Sequence, residues 1–345
     1  MEPRHLEELR TRGYTVIRGL VGADQCAAAR AAIDAALGGP GPTEAVDTQL
    51  AAGLGENSGS ANHIHAIAHP HPAMAVMAPS MPAVAEVHAA ALRSDRQHLC
   101  LNGQSLLRSD PTDDPTAHER GVVGSGWHLD NAFLASHGES TPRQVYTRSM
   151  VTLSDVESGG AAMMFSPGSV EATRREVQRL VDERGEAEYH GQNWRIEVVA
   201  QLTSDAGPDH LAFGAGVAAK GWHGEGLNEE KLSPAVEVLT GQGDCILFEA
   251  MSFHSASRCL NGRPRYAWVS ACFDHRAIDL PHKLYQTQWA PGFVDALPAE
   301  SRPLCDWLGP FVRDHLSSVE EYAETQGWVY AARRGKAAES GRPRL

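Results

Sequence analysis

Short apolar-rich runs set between turn residues dominate the middle of the chain. Runs of this kind mark strands. They predict strands near 144–153, 161–166, 195–200, 245–249 and 265–273, after a strand-like stretch over 98–107. Turn residues separate these runs, a pattern that points to a sandwich or barrel. The N-terminal part reads differently. Residues 13–20, Gly-Tyr-Thr-Val-Ile-Arg-Gly-Leu, predict one strand closed by a glycine. Residues 23–37 are rich in Ala with apolar positions at helical spacing and predict a helix, with Asp24 early where the dipole favours a carboxylate. Residues 82–93 predict a second helix, 170–186 a charged helical interruption between strands, and 306–326 a terminal helix.

Between these elements, residues 38–60 and 109–126 are rich in turn-forming residues and read as loops. Residues 203–232 read as a Gly-rich excursion over the barrel mouth. Loops of such length are usually functional lids. There is no internal repeat and no clear interdomain linker, so residues 1–333 read as one domain. Its barrel core spans about 98–275, with lid insertions at about 38–75 and 203–232 and a helical C-terminal part at 280–333. Residues 334–345 read as a disordered tail.

Composition narrows the class. With 21% charged and 42% apolar residues, the chain has the mix of a globular protein. Its formal net charge of −13 opposes nonspecific nucleic-acid binding and gives no support to an anionic membrane partner. No apolar run is long enough to span a bilayer, and residues 1–12 lack a signal-peptide core. The six cysteines are dispersed with no Cys-x-x-Cys pair, which argues against a disulfide framework or structural zinc. Cys100, Cys245 and Cys272 lie in apolar runs and read as buried thiols. A cytoplasmic location is the default expectation.

Two segments carry candidate chemistry. One is Trp127-His128-Leu129-Asp130; the other is Phe253-His254-Ser255-Ala256, followed by Arg265. In a strand, residues i and i+2 share a face, so His128 and Asp130 can reach one ion together. An imidazole from another strand completes two nitrogens and one carboxylate, the set suited to non-haem Fe(II) with open positions. Zinc more often takes a closed tetrahedral site with further N or S ligands. The bland alternative is a hydrogen-bonded histidine at a strand end. With 17 histidines and 43 acidic residues, chance His-x-Asp matches are expected. For Arg265 the bland alternative is a surface salt bridge.

The order of motifs resembles the phytanoyl-CoA dioxygenase-like family of Fe(II)/2-oxoglutarate-dependent oxygenases, over about residues 7–275. The opening Gly13-Tyr14-Thr15-Val16-Ile17-Arg18-Gly19-Leu20 is similar to its N-terminal element, and Trp127-His128-Leu129-Asp130 to its metal motif. Leu153-Ser154-Asp155-Val156, Gly159-Gly160-Ala161-Ala162 and Pro167-Gly168-Ser169 resemble its central strand pair. Gly243-Asp244 leading to His254 resembles its distal histidine strand. Arg265, within Asn261-Gly262-Arg263-Pro264-Arg265, follows His254 by the family's eleven residues.

The resemblance implies a mainly β fold with flanking helices, a double-stranded β-helix or jelly roll. It implies His128, Asp130 and His254 as iron ligands and Arg265 as the anchor for the distal carboxylate of 2-oxoglutarate, with O2 as oxidant. A planar guanidinium suits that carboxylate. Arg263 is the competing residue, on the other side of Pro264. The implied reaction oxidises an organic small molecule, hydroxylation first, and releases succinate and CO2. Val170 stands where the family often has a histidine. Ala256 stands where a hydroxyl is common, leaving Ser255 or Ser257 as substitutes. Asp130 argues against halogenating relatives, which replace that carboxylate with a small residue. Two rival readings remain: a non-catalytic ligand-binding jelly roll, and a cupin-type metal enzyme that does not use 2-oxoglutarate.

Further residues are weighed by strand face. Asn102, Gln104, Leu106 and Arg108 share one face by simple alternation, so Gln104 or Arg108 is a candidate co-substrate contact if that face is inward; the alternative is a solvated face. Tyr146, Arg148, Met150 and Thr152 pose the same question, with Met150 where the family often packs against the co-substrate. Trp127, Asn131 and Phe133 are candidates for the substrate pocket, with core packing the alternative for Trp127. His63, His65, His69 and His71 read as a loop that contacts substrate rather than metal. His223 is placed on a lid, and Asp274-His275 after the last barrel strand.

Overall fold

Within the described residues, ten strands form two antiparallel sheets. In this computed structural model the described residues are 1–37, 61–65, 76–130, 146–185, 195–203, 226–274, 299 and 302–304. Helix α1 (Pro3–Arg12) leads into β1 (Tyr14–Ile17), then α2 (Ala23–Ala36), β2 (Ala61–His65), α3 (Met81–Leu92) and the long β3 (Leu99–Ser109). The short helix α4 (Pro115–Glu119) precedes β4 (Ser125–His128), β5 (Tyr146–Thr152) and β6 (Met163–Phe165). Next come α5 (Ser169–Arg184), α6 (Arg195–Leu202), β7 (Val236–Val238), β8 (Cys245–Glu249), β9 (His254–Ala256) and β10 (Arg265–Asp274). The larger sheet runs β1-β8-β5-β10-β3-β2 and the smaller β4-β9-β6-β7. With helices on both outer faces, this is the double-stranded β-helix.

Alternation assigns the layers. Tyr14, Leu107, Met150, Ile246, Phe248 and Ala267 of the large sheet pack against Met163, Phe165 and Val238 of the small one, forming the barrel interior. The other face of the large sheet, with Leu101, Leu106, Val151, Cys245, Trp268 and Cys272, buries against α2 and α3. Full burial of each such side chain contributes about 1.5–3 kcal/mol. The outer face of the small sheet, with Met164, Trp127 and Phe253, packs on α5 and α6.

Buried polar groups join the layers at defined points. On α3, His88 is fully buried and bonded to Thr147 Oγ1 at 2.6 Å and Ser149 Oγ at 3.0 Å. Burial lowers its pKa to about 3, so the ring is neutral and serves as a hydrogen-bonding pin. Gly13 ends α1 in the left-handed region, with φ 83°, and its carbonyl accepts from Glu249 N at 2.9 Å. A Cβ there would lie 2.7 Å from Ser252 Oγ, so the turn that seats β1 on β8 requires glycine.

Three expectations change. Residues 195–200 form helix α6, not a strand. Val198, Val199 and Leu202 lie at helical spacing and bury against α5, and that packing overrides the β-branched run. Residues 61–65, read as part of a loop, form β2 at the edge of the large sheet. Residues 115–119 within the expected 109–126 loop form α4, capped by the Asp114 carboxylate on Thr116 N at 2.9 Å. The expected 38–60 loop, most of the 203–232 excursion, the 306–326 helix and the 334–345 tail lie outside the described residues.

Glu249 gives the fold a pH dependence. It is 6% exposed, and burial pushes its carboxyl up to about 7 from 4.5, which Arg174 at 3.5 Å only partly offsets. A raised carboxyl pKa means that the folded state favours the neutral acid. The stability this group contributes is therefore greatest below pH 4.5, is lost as pH rises to 7, and is constant above, a change of roughly 3 kcal/mol. Glu249→Gln should raise Tm by several degrees at pH 8 and by little at pH 5. Equal effects at both pH values in thermal unfolding would contradict this.

Candidate metal centre

His128 and His254 face each other across edge strand β4 and its neighbour β9 in the small sheet. They are direct Cα partners in the β4–β9 register, with ring centroids 4.3 Å apart. Each ring is fixed by a backbone carbonyl two residues earlier: His128 Nδ1 lies 2.8 Å from Gly126 O, and His254 Nδ1 lies 2.8 Å from Ser252 O. A carbonyl only accepts, so each Nδ1 carries the proton. In the neutral ring, Nε2 then holds the lone pair. Burial lowers the His254 pKa, against the opposing pull of Asp130, and keeps this ring in its neutral, ligand-ready form.

Asp130 follows β4, with its backbone N bonded to Ala250 O at 3.1 Å. Its Oδ2 lies 3.6 Å from His254 Nε2. One ligand atom from each of His128, Asp130 and His254 lies within 4.8 Å of the other two. Two imidazole nitrogens and one carboxylate oxygen gathered in a small volume make a facial triad that could hold one ion. This donor set fits ferrous iron, which keeps coordination positions for further ligands when so held. Arg148, on β5, places Nε 3.0 Å from the same Asp130 Oδ2 and so holds the carboxylate from the barrel side. The β5 alternation raised Arg148 only as an open question; the inward face of Met150 is what places it here.

Arg265 starts β10 and is 6% exposed. Its Nη1 donates to Ala161 O at 2.6 Å and its Nη2 to Ser109 Oγ at 2.8 Å, and Met150 Sδ lies 3.7 Å from Nη1. No described carboxylate pairs with it, and burial lowers its pKa to about 10. A buried, uncompensated guanidinium is costly unless an anion meets it. Ala161 adopts φ 58°, a rare conformation for a non-glycine residue, while its carbonyl accepts from this guanidinium. Arg263 is exposed.

Arg108 does not face the barrel interior. A register shift in the β3–β10 pairing between Val269 and Ala271 resets the alternation along β3, so counting by twos across it fails. Leu99, Leu101 and Leu106 accordingly share one outer cluster. Arg108 lies on that helix side, fully buried, with Nη1 2.9 Å from Asp34 Oδ1 and Nε 2.9 Å from Asp110 Oδ1. Tyr266 completes the cluster by donating to Asp34 Oδ1 at 2.8 Å.

The remaining candidates divide clearly. Trp127 is 1% exposed and stacks on Phe253 outside the small sheet, so it is core packing, not pocket wall. Ser255 lies opposite Met164, on the outer face, and His254 opposite Phe165, on the inner one. Asp274 accepts from Ser94 Oγ at 2.6 Å, away from the triad. The side chains of Gln104, Asn102, Tyr146, His63 and His65, and residues His69, His71, Asn131, Phe133, His223 and His275, lie outside the described set.

Comparison with known proteins follows the same line. The profile of the phytanoyl-CoA dioxygenase (PhyH) family matches residues 9–267. No curated protein matches the chain. Among solved structures, the non-heme alpha ketoglutarate dependent epimerase SnoN from nogalamycin biosynthesis is 19% identical, with 79% of this chain and 81% of that chain covered and a TM-score of 0.46. The carbocyclase SnoK from the same biosynthesis is 16% identical, covering 79% and 84%, with a TM-score of 0.49. HygX from Streptomyces hygroscopicus, solved with nickel and 2-oxoglutarate bound, is 15% identical, covering 79% and 87%, with a TM-score of 0.45.

Arg108→Ala should remove the buried cation that pairs with Asp34 and Asp110, at a cost of about 3–5 kcal/mol in urea denaturation. A loss below about 1 kcal/mol would show that the Asp34–Arg108–Asp110 cluster does not brace this side of the sheet.

Proposed function

The chain belongs to the phytanoyl-CoA dioxygenase family of Fe(II)/2-oxoglutarate-dependent non-haem iron oxygenases, and on that premise we propose that it hydroxylates an organic small molecule. The observation that carries this reading is the cross-strand histidine pair with Asp130, its three ligand atoms within 4.8 Å of one another. His128 and His254 would hold the ion through their Nε2 atoms and Asp130 through a carboxylate oxygen. Arg265 would anchor the distal carboxylate of 2-oxoglutarate, with Met150 beside it shielding that contact from water. When bound, iron with 2-oxoglutarate supplies the oxidising chemistry: O2 is reduced as the keto acid is decarboxylated to succinate and CO2. The chain's own task is to orient one substrate C–H bond and to keep the site dry.

A bacterial secondary metabolite or a modified amino acid is the substrate class we favour. No described helix is long and apolar enough to cross a membrane. Four buried free thiols, Cys26, Cys245, Cys259 and Cys272, support a reducing, cytoplasmic setting.

The direct test is anaerobic loading with Fe(II) and 2-oxoglutarate, then exposure to O2 with candidate compounds, following succinate and the gain of one oxygen atom in the product. Metal binding without succinate release would favour a non-catalytic barrel; substrate oxidation without 2-oxoglutarate would favour a cupin-type enzyme. Asp130→Ala should abolish both iron binding and turnover. Arg265→Ala should raise the KM for 2-oxoglutarate on the order of 100-fold, the loss of two charge-assisted hydrogen bonds, with metal affinity intact. An unchanged KM would remove Arg265 from the co-substrate site.

A further inference from the structure

Two buried donors stand side by side on the barrel face of the large sheet without acceptors among the described residues. One is Arg265 Nε, which is buried with no described hydrogen-bond partner. The other is the hydroxyl hydrogen of Ser109. This serine is 6% exposed and sits directly opposite Arg265 in the β3–β10 register. Its Oγ accepts from Arg265 Nη2 at 2.8 Å, and that contact uses a lone pair and leaves the O–H free to donate. No described group receives that hydrogen.

A buried unmet donor costs about 1–3 kcal/mol, so two in one place call for an acceptor with more than one oxygen. No described residue supplies it. The Ala161 carbonyl already accepts from Nη1. The nearby carboxylates of Asp34 and Asp110 are engaged by Arg108 on the opposite face of the sheet. A ligand carboxylate, with two oxygens, has the acceptors that these two donors call for.

We propose that Ser109 is a co-substrate-binding residue, whose hydroxyl accepts from Arg265 and donates to the distal carboxylate of 2-oxoglutarate. This rests on the oxygenase reading above and adds a contact that strand β9 does not provide, since Ala256 has no hydroxyl. The two neighbouring serines do not fill the role. Ser255 Oγ bonds to Ala256 O at 3.4 Å on the outer side of the small sheet. Ser257 Oγ is buried without a partner and makes no hydrogen bond to Arg265. The Ser109–Arg265 pair is instead the place where free donor hydrogens lie beside a buried positive charge.

The test is anaerobic titration of the Fe(II)-loaded protein with 2-oxoglutarate and, separately, with 2-oxobutanoate, which has the same keto-acid head and no distal carboxylate. The readout is the metal-to-ligand charge-transfer absorbance, which needs no turnover. Ser109→Ala should raise the Kd for 2-oxoglutarate about tenfold, leave that for 2-oxobutanoate unchanged and leave Fe(II) affinity unchanged. Ser109→Thr, which keeps the hydroxyl, should restore most of the affinity, and Ser257→Ala should change nothing. An unchanged Kd for 2-oxoglutarate in Ser109→Ala overturns the proposal. Equal weakening for both keto acids also overturns it, because the serine would then act on packing alone. A wild-type protein that binds Fe(II) but neither keto acid overturns the oxygenase reading itself, and this contact with it.

Discussion

The structure turns on one cross-strand pair. Antiparallel pairing of β4 and β9 sets His128 opposite His254, and the carbonyls of Gly126 and Ser252 take the two Nδ1 protons. The two rings are thereby fixed in tautomer and direction by backbone alone. A hydrogen bond from the Asp130 backbone to Ala250 O holds the third donor beside them. Side chains fixed in this way lose little freedom when an ion binds, which is the condition for a preorganised site.

The large sheet divides its work between two faces. On the helix side, Arg108, Asp34, Asp110 and Tyr266 form a paired and hydrogen-bonded ionic cluster. On the barrel side, the next residues in register, Ser109 and Arg265, form a cationic site with no paired carboxylate among the described residues. The same strand pair thus carries one guanidinium paired with carboxylates and one with no described carboxylate, at neighbouring register positions. The first braces the sheet; the second is the buried charge that the proposed reading gives to the co-substrate. A buried cation without its counterion lowers stability, and sites of this kind are retained where a ligand supplies the missing charge.

Much of this was legible in the sequence where one periodicity dominated. The runs that became β5, β8 and β10 are short and set between turn residues, and the spacing in α2, α3 and α5 is helical. What could not be read has physical causes. Strands β7 and β9 are three residues long, too short to show a period. The α6 segment carries β-branched residues whose state is decided by packing on α5. Arg108 was placed with Gln104 by counting in twos, and the register shift in β3 breaks that count. The ligand motif could be picked out from residue types, but that His128 and His254 meet is a property of register, which no local pattern contains. Ser109 had no signal at all, because its meaning depends on Arg265 lying directly across from it.

The central claim is tested most directly by anomalous diffraction from crystals grown without oxygen in the presence of Mn(II) and 2-oxoglutarate. A single anomalous peak bonded to Nε2 of His128, Nε2 of His254 and a carboxylate oxygen of Asp130 is the result expected. A peak at another site, or coordination through either Nδ1, would contradict it.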